Sequence, residues 1–419
     1  MNKEKYLIIN GGSSSLKLSV YEIEGDNYTE LLNSYVERIG QEDSFYTLKF
    51  NGQKIEKKVL INDHSSAVKI MLDELINYNI VNSLEEIKGV GHRVLHGGEI
   101  YSDSVLIDDT VLNDIVTLTK LGPLHHPGEI AGIKGAMKYL PNASQVAVFD
   151  TAFHQTMPKE NFLYPVPYDW YKENGVRKYG FHGTSHKYIT TQMQQILGKQ
   201  DVNLIVCHIG SGASISCIKN GLSYNTTMGI TPLDGLMMGT RSGAIDPSII
   251  EYVCHERNLT VEQVTNALNK ESGLLGICGK SDCRDLLNMV EQKNEQAILA
   301  LNMFEKAILR YIAQYIVELD GNVDGLIFTA GIGENNPKIR GEVIQALSNS
   351  FNIYLNDEIN EQIYKNSELT RGIITTPDSR FPVYVIRTNE EFMIINDTVR
   401  IIKETQKGYQ KTLSNGIKK

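Results

Sequence analysis

Cysteine pairs, long apolar runs and an excess of positive charge are all lacking from this sequence. The five cysteines include no CxxC pair, and their odd number suggests neither a disulfide framework nor a zinc site. No apolar run approaches the roughly 20 residues that cross a bilayer, and the run at residues 6–9 is too short for a signal-peptide core. We therefore expect a cytoplasmic protein that has no membrane partner.

Acidic residues outnumber basic ones, 50 against 41, which gives a formal net charge of −9. Proteins that bind nucleic acids or anionic membranes do so largely by neutralising phosphates with Lys and Arg. We therefore expect no nucleic-acid partner, and any phosphate site has to be local. A chain of 419 residues exceeds the size of one hydrophobic core, which predicts two domains.

A Gly/Ser turn between two apolar runs is the first motif. Residues 6–10 predict a strand, residues 11–15 (GGSSS) a turn, and the alternation that follows predicts a second strand. Backbone N–H groups of the turn, three hydroxyls and Lys17 are all suited to phosphate oxygens. The alternative is an ordinary hairpin with a solvated polar turn.

The same pattern returns roughly 200 residues later, which indicates an internal duplication. Residues 203–208 predict a strand, and a second Gly/Ser turn follows at residues 210–214. A third Gly-rich turn, residues 331–335, follows the apolar run 325–329. It lacks the Lys-Ser/Thr of a P-loop and the third glycine of a dinucleotide fingerprint.

Four polar residues stand where ligands commonly bind. Asp150 ends the apolar run 145–149, where ligands of α/β sheets gather, although it could instead cap a helix. His182 precedes a helix N-terminus, which favours anions. Arg241 lies in a glycine-rich stretch, 228–247, which suits either a close approach to phosphate or a solvated loop. Glu390 stands at a helix start, where it could bind metal or only complement the helix dipole.

Secondary structure can be placed from periodicity and caps. Residues 47–50 and 57–61 predict strands around the Asn51-Gly52 turn, so that three or four antiparallel strands precede a helix at 65–78. A capping box at residues 388–391 (TNEE) predicts a helix that reaches about residue 403. A long helix at 296–319 is predicted to bury Ile298, Leu301, Phe304, Ile308, Ile312, Tyr315 and Ile316.

Seven motifs in order make the chain resemble the acetate kinase (acetokinase) family, within the sugar kinase/Hsp70/actin group. They are residues 10–15 (NGGSSS), 91–99 (GHRVLHGGE), 149–158 (FDTAFHQTMP), 179–186 (YGFHGTSH), 239–243 (GTRSG), 328–335 (FTAGIGEN) and 388–391 (TNEE). The resemblance implies an α/β fold of two duplicated ribonuclease H-like domains around a central cleft. Residues 1–150 with 388–419 would form an N-terminal acyl- and metal-side domain, and residues 151–387 a C-terminal nucleotide-binding domain.

The resemblance also implies an activity, namely reversible transfer of the ATP γ-phosphoryl group to acetate, which gives acetyl phosphate and ADP. It implies Mg²⁺, with Mn²⁺ as an alternative ion, and a homodimer. The implied catalytic residues are Arg93, Asp150, His182 and Arg241, and the implied substrate-binding residues are Arg93, Leu95, Leu124, His125, Phe181 and Pro232. The implied nucleotide-binding residues are Asn10, Ser14, Lys17, His208, Gly210, Ser211, Gly212, Asp285, Gly331, Ile332, Gly333, Glu334 and Asn335, and the implied metal ligands are Asn10 and Glu390.

Several positions depart from the family pattern. Ser211 stands where asparagine is usual, and Ala244 where aspartate is common, so a nucleotide-binding paralogue without activity is one alternative. His126 replaces an asparagine, and Gly122 replaces an alanine. Leu95 replaces a valine of the acyl pocket, and one added methylene favours acetate over longer acids by only about 1–3 kcal/mol. Propionate kinase is therefore the close alternative activity.

Overall fold

A computed structural model describes residues 3–366 and 368–416; the remaining positions, which include both ends of the predicted N-terminal domain, lie outside the described residues. The strands are β1 (Glu4–Gly11), β2 (Ser15–Glu24), β3 (Asn27–Glu37), β4 (Phe45–Phe50), β5 (Gln53–Lys58), β6 (Ile87–Val94), β7 (Val105–Leu106), β8 (Ser144–Phe149), β9 (Leu204–Ile209), β10 (Ala213–Lys219), β11 (Leu222–Thr226), β12 (Gly325–Thr329), β13 (Arg371–Ile373) and β14 (Val383–Ile386).

The α-helices are α1 (His64–Asn77), α2 (Asp109–Thr117), α3 (His126–Tyr139), α4 (Lys159–Phe162), α5 (Tyr168–Asn174), α6 (Gly183–Leu197), α7 (Ser248–Arg257), α8 (Val261–Lys270), α9 (Gly273–Cys278), α10 (Cys283–Glu291), α11 (Glu295–Glu318), α12 (Ala330–Asn335), α13 (Pro337–Phe351), α14 (Asp357–Lys365) and α15 (Glu390–Gly416). Short 3₁₀ helices occupy Leu84–Glu86, Leu118–Leu121 and Ala152–Thr156. Among the helices of the described residues, none is long and apolar enough to cross a membrane.

The chain divides into two compact units. The first unit consists of the described parts of Met1–Ala152 and Asn389–Lys419, and the second consists of those of Phe153–Thr388. The first unit therefore holds β1 to β8 with α1, α2, α3 and α15, and the second holds β9 to β14 with α4 to α14.

The sheet of the first unit has the strand order β5-β4-β3-β2-β1-β6-β8-β7. Strands β1 to β5 form an antiparallel meander, whereas β6 and β8 run parallel to β1. Helices cover both faces, so the central strands read as continuous apolar runs. Alternate residues of β1 face opposite layers: Leu7 and Ile9 pack in the layer of α1, and Tyr6 and Ile8 in that of α15.

Glycines of β6 allow α15 to lie close to the sheet. A Cβ added to Gly91 would stand 2.2 Å from the Thr398 hydroxyl oxygen, and one added to Gly89 would stand 2.4 Å from the Ile402 side chain. Real Cβ atoms do not approach other atoms this closely. The glycines ahead of Arg93 therefore fix the distance between β6 and α15, at whose N-terminus Glu390 lies.

The sheet of the second unit has the order β11-β10-β9-β12-β14-β13. Here β9, β10 and β11 form the antiparallel meander, and β12 and β14 run parallel to β9. The order of three meander strands followed by two parallel strands is the same as that of β3-β2-β1-β6-β8. The α/β fold with duplicated topology that the sequence predicted is thus confirmed.

Five local predictions are corrected. The strand predicted at 57–61 lies at Gln53–Lys58, and five strands, not three or four, precede α1. Helix α11 leaves Ile298 37% exposed, although it buries the other six residues of the predicted set. Helix α15 is capped by Asn389, whose side chain accepts a 2.9 Å hydrogen bond from the Phe392 N–H, and not by Thr388. It also extends to Gly416, well beyond residue 403.

Candidate active site

Three strand ends meet in the first unit. Asn10 ends β1, Arg93 lies opposite it on β6, and Asp150 directly follows β8. The Arg93 Nη2 atom donates to the Asp150 carboxylate over 2.5 Å, and Nη1 donates to the Asn10 amide oxygen over 3.4 Å. The parallel pairing of β1, β6 and β8 therefore brings these three predicted residues together.

A fourth polar residue, Glu129 on α3, joins this group and was not predicted. Its side chain is buried, and one of its oxygens lies 3.9 Å from Arg93 Nη1. Both of its oxygens accept from the Leu95 N–H at 3.2 Å. Burial raises the pKa of Glu129 to about 8, against the opposing effect of Arg93. The sequence does not mark Glu129 as a site residue, because an acid in the first turn of a helix is already explained by its favourable interaction with the helix dipole.

Nearby acidic groups together affect the pKa of Arg93 more strongly than burial does. Burial alone would lower the pKa of its guanidinium, but Asp150, Glu129 and Glu390 together raise it above its ordinary value. Arg93 is therefore charged at every accessible pH and is held in place by acidic groups. The contribution of Glu390 also shows that this predicted metal ligand lies near the three strand ends.

The first Gly/Ser turn packs against the start of α3. A Cβ on Gly12 would meet Ser15, and one on Gly128 would stand 2.5 Å from the Gly12 carbonyl oxygen. Ser14 is exposed on the turn. Lys17, which the sequence assigned to phosphate, forms an ion pair with Glu391. Glu391 is thus a second acid that the prediction did not use.

The predicted acyl-pocket residues of the first unit differ in exposure. Leu95 is 4% exposed, whereas Leu124 is 56% exposed. His125 forms the N-cap position of α3. The remaining two pocket residues, Phe181 and Pro232, belong to the second unit, where Phe181 is buried and Pro232 is half-buried.

A layer of histidines lies beside the second Gly/Ser turn. His182 adopts a left-handed backbone conformation (φ 56°) at the N-cap of α6, which is uncommon for a residue other than glycine. Its ring stacks on that of His208, with centroids 4.2 Å apart. His182 Nδ1 lies 2.9 Å from the Ser214 hydroxyl, and His208 Nδ1 lies 2.8 Å from that of Ser185. Burial lowers the pKa of His208 to about 4, so this ring is neutral.

Arg241 lies next to His182. The point where a Cβ on Gly212 would stand is 3.4 Å from Arg241 Nη1 and 3.5 Å from His182 Nε2. Arg241 donates to the Pro232 carbonyl over 3.2 Å, and burial lowers the pKa of its guanidinium. Within the part of the chain that the structure describes, it has no carboxylate partner. Gly212, His182 and Arg241 thus form one polar group with an uncompensated positive charge.

Backbone hydrogen bonds close the second turn and connect it to a neighbouring segment. The Gly210 N–H donates to the Gly212 carbonyl over 3.1 Å, which closes the turn. Ser211 is exposed, and its carbonyl accepts from the Gly239 N–H. This bond ties the turn to the segment that carries Arg241.

The third Gly-rich turn is α12, and hydrogen bonds of the Glu334 side chain hold its conformation. Glu334 accepts from the N–H groups of Ala330 and Thr388 at 2.7 and 2.9 Å, so its carboxylate bonds to the protein backbone. Gly331 and Asn335 are exposed, Ile332 is half-buried and Gly333 is buried. Asp285 is exposed on the first turn of α10.

Helix α10 lies next to this third turn. The Asn336 amide, which follows the turn directly, donates to Cys283 Sγ over 3.7 Å. Cys283 is two residues from Asp285, so the structure places this predicted nucleotide residue on an element that adjoins the turn. The five cysteines are all free thiols.

Comparison with known proteins places the chain in a family. The family model described as "Acetokinase family" matches residues 5–396. The chain belongs to the acetokinase family. It is 48% identical over 400 residues to a protein of Geobacillus sp. (strain WCH70) named acetate kinase, which covers 95% of this chain and 98% of that protein. It is 46% identical over 402 residues to the acetate kinase of Bacillus subtilis (strain 168), with coverage of 95% and 100%.

Solved structures of acetokinase-family proteins have the same fold. Acetate kinase from Porphyromonas gingivalis matches with a TM-score of 0.89 and 38% identity, over 95% of this chain and 100% of that one. A propionate kinase from Francisella tularensis matches with a TM-score of 0.88 and 39% identity, with the same coverage. These two relatives are thus named for different carboxylate substrates, acetate and propionate.

Proposed function

We propose that this chain catalyses reversible transfer of the γ-phosphoryl group of ATP to acetate, giving acetyl phosphate and ADP. The acetate oxygen forms a bond to the γ-phosphorus while the bond from that phosphorus to the bridging oxygen of ADP breaks. Membership of the acetokinase family and the names of its relatives support the phosphotransferase activity. The observation that carries the site assignment is the half-buried Arg241, which has no carboxylate partner in the described residues and lies beside His182 and Gly212.

Phosphoryl transfer requires positioning and positive charge more than a strong base, because a carboxylate is already ionised at neutral pH. We assign Arg241 and His182 to the phosphoryl group in transit, to which both can donate hydrogen bonds. Arg93 is assigned to the acetate carboxylate, since guanidinium groups bind carboxylates through paired donors. Asp150 holds Arg93 and is assigned to orienting the acceptor.

The three Gly-rich turns are assigned to the nucleotide. Asn10, Ser14 and Lys17 of the first turn and His208, Gly210, Ser211 and Gly212 of the second serve phosphates. Gly331, Ile332, Gly333, Glu334 and Asn335 of the third turn, with Asp285, serve the nucleoside. Because the Glu334 carboxylate accepts from Ala330 and Thr388, its contribution is to hold the turn. In this proposal the first unit supplies the acyl and metal side and one of the phosphate turns, and the second unit supplies the other two nucleotide turns.

Mg²⁺ is part of the proposal, with Mn²⁺ as the alternative ion. The amide oxygen of Asn10 and the carboxylate of Glu390 are hard oxygen donors, which Mg²⁺ accepts together with phosphate oxygens and water. Within the described ranges no group of three His, Cys, Asp or Glu residues is suited to hold a metal alone. We propose that the ion binds together with the nucleotide, where it would neutralise phosphate charge.

Acetate is the proposed acceptor, with propionate as the second candidate. The 48% identical relative is named acetate kinase, whereas the Francisella structure at 39% identity is named propionate kinase. Leu95, which is 4% exposed, narrows the space available to an acyl chain. We also propose a homodimer from the family resemblance and a reducing, cytoplasmic location, which the five free thiols support.

The decisive experiment traps the acyl phosphate. The chain is incubated with ATP, Mg²⁺, hydroxylamine and either acetate, propionate or butyrate, and the hydroxamate is measured. Acetate is expected to give the highest kcat/KM. If no acid gives hydroxamate, the proposed activity is refuted. If propionate gives a higher kcat/KM than acetate, propionate becomes the preferred acceptor. Omission of Mg²⁺, with EDTA present, should abolish product.

A further inference from the structure

Ser214 lies between two histidine rings of the second unit. Its hydroxyl oxygen is 2.9 Å from Nδ1 of His182 and 2.8 Å from Nε2 of His186. Ser214 lies on β10 and is fully buried, as is His186 on α6. Of these three residues, only His182 has a role that was predicted from the sequence.

A serine hydroxyl has one proton to donate and two lone pairs with which to accept. It can donate to one of the two ring nitrogens only, so the other ring must bring its own proton to the hydrogen bond. If both rings donated to Ser214, its buried O–H would have no acceptor in the described residues, since its hydroxyl bonds only to these two nitrogens. Two arrangements remain. In one, His186 donates to Ser214 and Ser214 donates to His182; in the other, every donor and acceptor is reversed.

His186 decides between the two arrangements. Its Nδ1 atom is buried and has no hydrogen-bond partner in the described residues. Burial holds the pKa of His186 well below its usual value, so the ring is neutral and carries one proton. If that proton were on Nδ1, an N–H group would be buried without an acceptor, which is rare in proteins. The proton therefore belongs on Nε2, from which it is donated to Ser214.

The direction of this hydrogen-bond chain fixes the tautomer of His182. Ser214 receives a proton from His186 and donates its own to Nδ1 of His182, so the proton of His182 is on Nε2. His182 Nε2 is the ring nitrogen on the side of Arg241. A Cβ built on Gly212 would lie 3.5 Å from this nitrogen and 3.4 Å from Arg241 Nη1. A doubly protonated His182 would require the reversed chain and would also face the charge of Arg241.

We propose that Ser214, supported by His186, is a positioning residue that keeps His182 in the neutral Nε2–H tautomer, so that Nε2 donates a hydrogen bond to the transferred phosphoryl group. The link to phosphoryl transfer rests on the proposed function, whereas the tautomer itself does not. Neither Ser214 nor His186 touches the reacting atoms in this proposal.

The tautomer can be measured without any turnover. Histidine labelled with ¹⁵N in the full chain gives long-range ¹H–¹⁵N correlations that distinguish a protonated from an unprotonated ring nitrogen, and the signals are assigned with His182→Gln and His186→Gln. At pH 7, both His182 and His186 are expected to show a protonated Nε2 and an unprotonated Nδ1. A protonated Nδ1 in either ring would overturn the proposal.

Variants then connect the tautomer to rate. Ser214→Ala should make His182 a mixture of tautomers and lower kcat roughly 10- to 100-fold, a range measured for other groups that orient functional histidines. The KM values for ATP and acetate should change little. Ser214→Thr retains the hydroxyl and should restore both the Nε2–H signal and kcat. A kcat of Ser214→Ala within twofold of the unmodified chain would overturn the positioning role.

A matched control is available in the same layer. Ser223 forms the same kind of hydrogen bond, 2.8 Å to Nδ1 of His154, whereas the hydrogen bond to Nδ1 of His182 comes from Ser214. Ser223→Ala should leave the His182 signals and kcat unchanged; if it lowers kcat as much as Ser214→Ala does, the effect is general loss of packing. Inactivity of the unmodified chain towards all three acids would instead refute the proposed function and leave the tautomer measurement decisive for the hydrogen-bond chain.

Discussion

Replacement of Arg340 by methionine tests how the third Gly-rich turn is held. Arg340 is fully buried on α13, and its guanidinium donates to the Gly333 and Glu334 carbonyls at 2.9 and 2.8 Å. It also donates to the side-chain and backbone oxygens of Asn360 at 2.8 and 3.0 Å. Burial lowers the pKa of Arg340 to about 10, yet the group stays charged at neutral pH.

The magnitude follows from the acceptors that Arg340→Met leaves behind. The methionine side chain occupies much of the space of the arginine stem but offers no donor. Three of the four bonds are buried, and a buried acceptor without a donor costs at least about 1 kcal/mol. If the acceptors left without a donor cost more than this, removal of the buried charge of Arg340 offsets part of the additional cost. We therefore expect a loss of about 3 kcal/mol, or roughly 6–12 °C in Tm for a unit of this size.

Calorimetric unfolding of Arg340→Met and of a matched control measures this loss. Lys365 lies on the neighbouring α14, and its 3.4 Å ion pair with Glu361 is exposed to solvent. Lys365→Met should therefore cost no more than about 0.5 kcal/mol. Because the Gly331–Asn335 turn is assigned to the nucleoside, Arg340→Met should also raise KM for ATP more than that for acetate. A Tm within 2 °C of the unmodified chain would refute the reasoning.

Three further changes have defined outcomes. Burial lowers the pKa of His154 from 6.5 to about 4, so the unfolded chain binds more protons than the folded one in this window, and stability falls as the pH falls through it. His154→Gln should reduce this pH-dependent loss of unfolding free energy by up to about 1.4 kcal/mol per pH unit. Denaturant unfolding at pH 7 and pH 5 measures the difference, and a loss equal to that of the unmodified chain would contradict a neutral His154. Arg241→Lys retains the charge but not the paired donors, and should lower kcat roughly 10²- to 10³-fold; a normal kcat would exclude Arg241 from the transfer. Leu95→Ala should raise the propionate-to-acetate ratio of kcat/KM by roughly 10-fold, and an unaltered ratio would place acyl selectivity elsewhere.

Of the residues at the strand ends of the first unit, Asp150 was predicted from its position after an apolar run. Asn10 and Arg93 were predicted from the family resemblance, and the parallel pairing of β1, β6 and β8 brings all three residues together. Glu129 and Ser214 carry no comparable signal. An acid in a first helical turn and a serine within a strand have ordinary local roles, and only tertiary packing shows that they contact Arg93 and His182.

The helix cap near residue 390 illustrates a second limit. Thr388 followed by glutamates matches a capping box, but its N–H donates to Glu334 and its hydroxyl bonds to Ser185. Asn389 therefore caps α15 instead. The N–H and hydroxyl groups of Thr388, which a capping box would use within the helix, bond instead to residues distant in sequence. A pattern of neighbouring residues does not contain this information.

The duplicated topology gives each unit an arginine near its sheet, but the two arginines differ in electrostatics. Arg93 is held by the carboxylate of Asp150 at 2.5 Å, and the buried side chain of Glu129 lies 3.9 Å away. Arg241 donates to the Pro232 carbonyl and lies beside His182, and burial lowers the pKa of its guanidinium. A half-buried cation without an anionic partner costs free energy, and an anion that binds there offsets this cost. We therefore expect the triphosphate to gain most of its charge-dependent affinity from the second unit, and ATP to raise the Tm of the unmodified chain more than that of Arg241→Met.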